Sequence, residues 1–315
     1  MKVAFFSSDP ISLPSIRYLQ AEHELVCIVS NPDRPKGRGK KVSPNEVSQW
    51  AIDNSVDLLR PEGKPSDDDV AHLREVGAEL LIVMAYGCIL KKNILEYGKY
   101  PCLNLHASLL PELRGASPIE TAIALGKTRT GVSLMRVEPA MDTGAVADAE
   151  EVDIDFYDTA KTLRQKIAVS AADILKKNMP LIESGELNFV QQNSAEATYS
   201  RKLSREDMFL DFRKSARELR DRVRAFGAGI FQFGLDAIKI FDIQLCENTG
   251  GTGCATVISS GADGLKIACA DGAICANRLQ KPCARAMQAR EFFSGYEIPK
   301  GTILSNADNK PLLHR

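Results

Sequence analysis

Asn104 and His106 stand two residues apart at the end of a short apolar run, residues 102–106. The run reads as a β-strand, and the spacing of two puts both side chains on one face of it. An Asn amide can donate a hydrogen bond to a carbonyl oxygen that is becoming an oxyanion. A His can move a proton near neutral pH. A third polar residue, Asp142, lies in Met141-Asp142-Thr143-Gly144, a turn sequence. An acid beside the imidazole would orient it and stabilise its charged form. Together the three suit acyl transfer. On pattern alone the plainer reading, a strand end, a satisfied polar histidine and an ordinary turn, stands ahead of it.

The elements that would position them follow an α/β pattern. Residues 2–6, 24–29, 57–59, 79–85 and 102–106 read as strands. Helices are expected at 12–20, from a Ser43-Pro44-Asn45-Glu46 start to about 54, from Ser66 to Gly77, from a Ser117-Pro118-Ile119-Glu120 start to Gly126, and over 159–177. After Glu79 the run to 85 is continuously apolar, as in a strand covered on both faces. Alternation of this kind means a doubly wound, mostly parallel sheet, with ligands beyond the carboxyl ends of its strands. Phe6-Ser7-Ser8-Asp9-Pro10 follows the first strand, where a dinucleotide-binding fold carries G-x-G-x-x-G. A nicotinamide oxidoreductase therefore loses its support.

Beyond residue 204 a basic helical stretch runs to Phe226, and then the pattern changes. Short strands at 237–245, 255–259, 264–270 and 273–279, separated by Gly- and Asn-rich turns, suggest a small β-barrel. The division expected is a catalytic domain at 1–186, a linker at 187–204 and a second domain at 205–315.

At 315 residues the chain is long enough for two cores. Its net charge of −1 excludes a uniformly basic surface but not a local basic patch. No apolar run reaches the roughly 18 residues of a membrane span. The start, Met1-Lys2 followed by a four-residue apolar run, is too short for a secretion signal. The eight cysteines contain no C-x-x-C pair, so they read as reduced thiols of a cytoplasmic protein without a metal site.

Two basic elements stand out. The stretch from Asn31 to Lys41 has two prolines and two glycines and reads as a loop; Arg34, Lys36, Arg38, Lys40 and Lys41 give it five cations. Such a loop can neutralise phosphates and order on RNA. The second comprises Arg201, Lys202, Arg205, Arg213, Lys214, Arg217, Arg220, Arg222 and Arg224. Interspersed acids leave an RNA-facing surface and an ordinary salt-bridged helix equally open.

These segments resemble the folate-dependent formyltransferases. The shared residues are Asn104-Leu105-His106, Ser108-Leu109-Leu110-Pro111, Arg114-Gly115-Ala116-Ser117-Pro118-Ile119, Met141-Asp142-Thr143-Gly144 and Met84-Ala85-Tyr86-Gly87. The likeness covers nearly the whole chain and is strongest before residue 210. It implies a Rossmann-like sheet of the formyltransferase type followed by an OB-like barrel. It implies that Asn104, His106 and Asp142 are catalytic. It also implies that Ser108, Leu109, Leu110, Pro111, Met84, Ala85 and Tyr86 line the pocket for 10-formyltetrahydrofolate, the formyl donor, with no metal. Pro32-Asp33-Arg34-Pro35-Lys36-Gly37-Arg38-Gly39-Lys40-Lys41 is similar to the basic loop of the tRNA-specific members. The implied acceptor is then the α-amine of methionyl initiator tRNA, in an enzyme acting as a monomer. A nucleotide-linked amino sugar, glycinamide ribonucleotide or plain hydrolysis of the donor are the alternatives.

Three departures from the family pattern carry physical consequences. Ala107 stands where the family has Gly, which would cost about 1 kcal/mol if the position required positive φ. Ser7-Ser8-Asp9-Pro10 stands in place of Gly-Thr-Pro. Arg224-Ala225-Phe226-Gly227-Ala228-Gly229-Ile230-Phe231 lacks the family's Asn-Pro-Trp-Pro turn, which bears on the packing of the second domain.

Overall fold

The computed structural model describes residues 1–36, 41–248 and 251–314. Its first half contains β1 (Lys2–Phe6), α1 (Leu13–Glu22), β2 (Glu24–Val29), β3 (Arg34–Lys36), β4 (Lys41–Ser43), α2 (Glu46–Asp53) and β5 (Leu58–Leu59). There follow α3 (Asp67–Glu75), β6 (Leu80–Val83), α4 (Lys92–Leu95), β7 (Leu103–His106), β8 (Arg114–Gly115) and α5 (Pro118–Ala124). The half closes with β9 (Arg129–Arg136), β10 (Val146–Asp153) and α6 (Ala160–Ser184).

A seven-stranded sheet runs β10-β9-β7-β6-β1-β2-β5. The pairs among β1, β2, β5, β6 and β7 are parallel, and β9 and β10 add an antiparallel edge. That edge is missing from the sequence reading. β9 is buried over Thr130–Met135, a continuous run rather than an alternation, and pairs with β7 from the side opposite β6. Apolar clusters fill both faces of the sheet. One holds Phe5, Ile82, Leu103 and Leu134 under α1 and α6; the other holds Phe6, Leu73, Leu81 and Tyr86.

Several boundaries differ from expectation for identifiable reasons. The α2 start is Asn45, whose side chain accepts from Ser48 N at 2.9 Å, and not Ser43. Ser43 is held by cross-strand pairing with Arg34. The basic stretch expected as a loop is a hairpin at its described base, with β3 antiparallel to β4. Helix α6 does not stop at 177 but runs through Pro180 to Ser184, with Gly185 as its left-handed cap at φ +76°. Proline removes one helical hydrogen bond, yet Met179 and Ile182 are buried on either side of it and hold the last turns.

The region expected as linker pairs in the sheet order β18-β11-β8. Here β11 is Tyr199–Ser200 and β18 is Leu313–His314. The second half also carries α7 (Ala216–Phe226), β12 (Gly229–Phe233), β13 (Asp236–Cys246), β14 (Val257–Gly261), β15 (Gly264–Ala268), β16 (Ala273–Gln280), β17 (Met287–Gln288) and α8 (Ala289–Phe293). These strands form an antiparallel half-barrel, β12-β13-β16-β15-β14, with β17 on β16. Its own core includes Phe212, Leu219, Phe231, Ile240, Ile267 and Phe292. The helix expected to begin at 204 starts only at Ala216, behind a Ser215–Glu218 capping box. Leu210 N instead donates to Ile230 O at 2.9 Å, so tertiary pairing draws residues 209–212 into the barrel.

The absent proline turn is replaced by glycines. Gly227 caps α7 at φ +78°, and a Cβ at Gly229 would come within 2.7 Å of Leu210 Cδ1 and 2.9 Å of Val223 Cγ2. Phe231 fills the core of this domain, 1% exposed.

Candidate active site

A cavity of about 480 Å³ opens beyond the carboxyl ends of β6 and β7, where an open α/β sheet keeps its ligands. Asn104, His106 and Asp142 all line it. Strand β7 lies between β6 and β9, so its backbone is fixed on both edges. The alternation along β7 then directs Asn104 and His106 to the same side.

His106 is 6% exposed. Its Nε2 stands 3.0 Å from the carbonyl of Leu113. A carbonyl only accepts, so Nε2 carries the proton and Nδ1 is left to the cavity side. Asp142 Oδ2 lies 3.7 Å from Nδ1. The same oxygen accepts from Gly115 N at 2.7 Å. Asp142 occupies the turn between β9 and β10 at φ +53°, a conformation Asp tolerates better than most residues. Gly144 is required nearby, since a Cβ there would fall 1.8 Å from the carbonyl of Arg136.

Met84, Ala85 and Tyr86 also line the cavity. The chain turns sharply past β6, with Ala85 at φ +50° and Gly87 at +79°. Asn31 Nδ2 donates to Tyr86 O at 2.8 Å, and Ser8 N to Ala85 O at 3.3 Å. The Tyr86 ring turns away into the core, edge-on to Phe6 at 5.5 Å between centroids, and burial pushes its phenol pKa up.

Ser108, Leu109, Leu110 and Pro111, expected in the donor pocket, lie next to Ala107 on the segment that follows β7. Ser108 Oγ donates to Glu112 O at 2.6 Å, and Ser133 Oγ donates to Ser108 O at 2.8 Å. Leu110 N donates back to Ser133 Oγ at 3.0 Å. These bonds fold the segment into a brace behind His106 that delivers the Leu113 carbonyl. Ala107 is a wall residue with negative φ, so its methyl meets no left-handed requirement.

Residues that the sequence does not mark complete the wall. Arg164 on α6 donates to Asp9 Oδ2 at 2.5 Å and to Glu120 Oε1 at 3.3 Å, tying three segments together at the cavity. Asp9 registers in the sequence only as a departure from Gly-Thr-Pro, and nothing in periodicity marks Arg164. Among the described residues, no cluster of three or more His, Cys, Asp or Glu is arranged for a metal.

The basic elements divide. Arg34 is exposed on the hairpin; Arg38 and Lys40 lie outside the described residues, and Lys36 and Lys41 are described only as backbone partners. The second basic element is largely consumed internally. Arg201 pairs with Asp207, Arg213 with Asp211 and Asp308, and Arg220 with Asp221. Arg222 donates to Asp207 O, and Arg224 to the carbonyls of Asp155 and Asp158. The salt-bridged reading holds for Arg201, Arg213, Arg220 and Arg224, which pairs with Asp221, while Arg222 bonds a backbone carbonyl.

A doubly wound sheet with Asn, His and Asp on one cavity wall, followed by an antiparallel half-barrel, defines a formyl transferase architecture. Residues 1–178 match the family model described as formyl transferase, and 202–297 match the formyl transferase C-terminal domain. The chain belongs to the formyl transferase family. Relatives matching it over nearly its full length include the methionyl-tRNA formyltransferase of Methylobacillus flagellatus, 34% identical, covering 96% of this chain and 98% of its own. That of Myxococcus xanthus is 34% identical, covering 96% and 97%. Among solved structures, an N-formyltransferase from Helicobacter canadensis in complex with folinic acid and dTDP-3-aminofucose has the same fold. Its TM-score is 0.67 at 20% identity, covering 89% of this chain and 99% of its own. No helix among the described residues is long and apolar enough to cross a membrane.

Proposed function

We propose that this protein transfers the formyl group of 10-formyltetrahydrofolate to the α-amine of methionyl initiator tRNA, in the cytoplasm and as a monomer. The observation that carries the reading is the convergence of Asn104, His106 and Asp142 on one cavity wall. The full-length relatives named for that acceptor support the tRNA assignment. So does the exposed Arg34 on β3.

The folate enters as a substrate that already carries an activated formyl group, and its pterin lies against the Met84-Ala85-Tyr86 turn. The amine nitrogen attacks the formyl carbon, and the carbonyl oxygen becomes an oxyanion. Asn104 donates to that oxygen, together with a protonated His106, in a site that is partly closed to water. The carbon–N10 bond then breaks as the proton lost by the amine reaches N10. His106 and Asp142 handle the charge. The electron pair of the broken bond remains on N10, so the products are the formyl amide and tetrahydrofolate.

The test is tetrahydrofolate release from 10-formyltetrahydrofolate with methionyl initiator tRNA, with free methionine plus uncharged tRNA, and with buffer alone. Fast release with the charged tRNA only is expected. Equal release in all three would make the protein a hydrolase. Release in none of the three, with release in a fourth arm supplied with an amino sugar nucleotide, would move it to the other branch of the family.

A further inference from the structure

Arg114 is 1% exposed, and among the described residues its guanidinium bonds only neutral groups. Nε and Nη2 donate to Gln192 Oε1 at 3.0 and 2.8 Å, and Nη1 donates to Tyr199 Oη at 2.8 Å. Burying a cation on neutral partners is an expensive way to stabilise a fold. The arrangement therefore calls for another explanation, and Gln192 supplies it.

The other end of the Gln192 amide holds the Asp142 turn. Its Nε2 donates to Asp142 O at 2.9 Å and to Gly144 O at 2.7 Å. The amide is oriented by its chemistry, oxygen toward the guanidinium and nitrogen toward the two carbonyls. The carboxylate of Asp142 is gripped separately by Gly115 N, the residue after Arg114. Gly115 is in turn fixed by β11, where Ala116 N donates to Ser200 O at 3.1 Å and a Cβ on Gly115 would meet that oxygen at 2.3 Å. Both the backbone and the side chain of Asp142 thus depend on residues 114–115 and on a segment, 192–200, that the sequence reads as a linker.

We infer that Gln192 and Arg114 are positioning residues for formyl transfer, fixing the left-handed Asp142 turn so that its carboxylate faces His106 Nδ1. Neither touches the reacting atoms. The inference rests on the reading that Asn104, His106 and Asp142 carry the transfer. It adds that the linker is part of the machinery that aims them.

The experiment compares Gln192→Glu, Asp142→Asn and the double variant in the full chain. Methionyl initiator tRNA and 10-formyltetrahydrofolate are the substrates. The introduced carboxylate would keep an acceptor for Arg114 but could not donate to the two carbonyls. Gln192→Glu is expected to lower kcat about 10- to 100-fold, as a misaimed group does. The KM for tRNA should change less than about 2-fold, and the thermal midpoint should stay within a few degrees. Because Gln192 acts through Asp142, the double variant should be no more than about 2-fold slower than Asp142→Asn alone. Multiplying losses in the double variant would reveal a general structural role and overturn the inference. Wild-type kcat in Gln192→Glu beside a slow Asp142→Asn would overturn it too, while leaving the active-site reading intact. A fully active Asp142→Asn would defeat that reading itself and the inference with it. Should Gln192→Glu melt early, the same comparison is made at a temperature well below its midpoint, where all the variants are folded.

Discussion

His106 Nδ1 and Asp142 Oδ2 are 3.7 Å apart, too far for a direct hydrogen bond and close enough for a small closure to join them. The pair is poised rather than formed, as catalytic hydrogen bonds often are before substrate arrives. Replacing His106 by Ala or Asn104 by Ala should cut kcat/KM by about 100- to 1,000-fold, the usual cost of losing an oxyanion donor or a proton-transfer group. Steady-state formylation kinetics check it. Near-native turnover of Asn104→Ala would remove the oxyanion role.

The exposed Arg34 at the base of the basic stretch makes a prediction about salt. Replacing Arg34 and Arg38 together by Ala should raise the KM for methionyl initiator tRNA about tenfold and leave the affinity for folate alone unchanged. The slope of log affinity against log salt should flatten by about 0.7 for each phosphate left without its cation. Filter binding across a salt series measures it, and an unchanged slope would place the tRNA elsewhere.

Asp207 contributes stability in a defined pH window. The Arg201 guanidinium, joined to both of its oxygens, holds the Asp207 carboxyl pKa down at about 2, with Ser204 N adding a further bond at 2.8 Å. A carboxyl depressed on folding stabilises fully above its unfolded value, 3.8, and loses that contribution as pH falls toward 2. The contribution is about 2 kcal/mol at pH 7. Urea titrations of wild type and Asp207→Asn should therefore show a gap that narrows between pH 5 and pH 3. A gap independent of pH would mean that the pair acts through packing alone.

Thiol reactivity should sort by burial. Burial pushes Cys27, Cys102 and Cys269 each up to about 12, whereas Cys254 and Cys283 are exposed. A thiol reagent at pH 8 should label Cys254 and Cys283 within minutes and leave the three buried thiols intact until denaturant is added. Mass spectrometry of peptides reads the order, and early labelling of Cys102 would show that the sheet opens locally.

Much of the first half is legible in the sequence because its signals are local. Asn104 and His106 share a face through the period of a strand, and Ser66 announces its helix through a capping box that does form with Asp69. What stays hidden depends on distant partners. Ser43 and Asn45 both carry capping chemistry, and only pairing with Arg34 decides between them. Residues 204–215 have helical composition, yet Ile230 captures Leu210. Ser108, Leu109, Leu110 and Pro111 are recognisable as a motif but not in their geometry, since their hydrogen bonds run to Ser133 and Glu112 rather than toward the cavity. Gln192 gives no signal, because a single amide in a polar segment has no period and no turn chemistry.

The three-stranded sheet that seats Gly115 also sets an order of events during synthesis. Strand β8 leaves the ribosome early, but its partner β11 pairs in turn with Leu313–His314, roughly 200 residues later in the chain. At about 5–20 residues per second that interval is roughly 10–40 s. The first half can collapse first, but the strand beside its Asp142 clamp gains its last neighbour only when the rest of the chain has emerged.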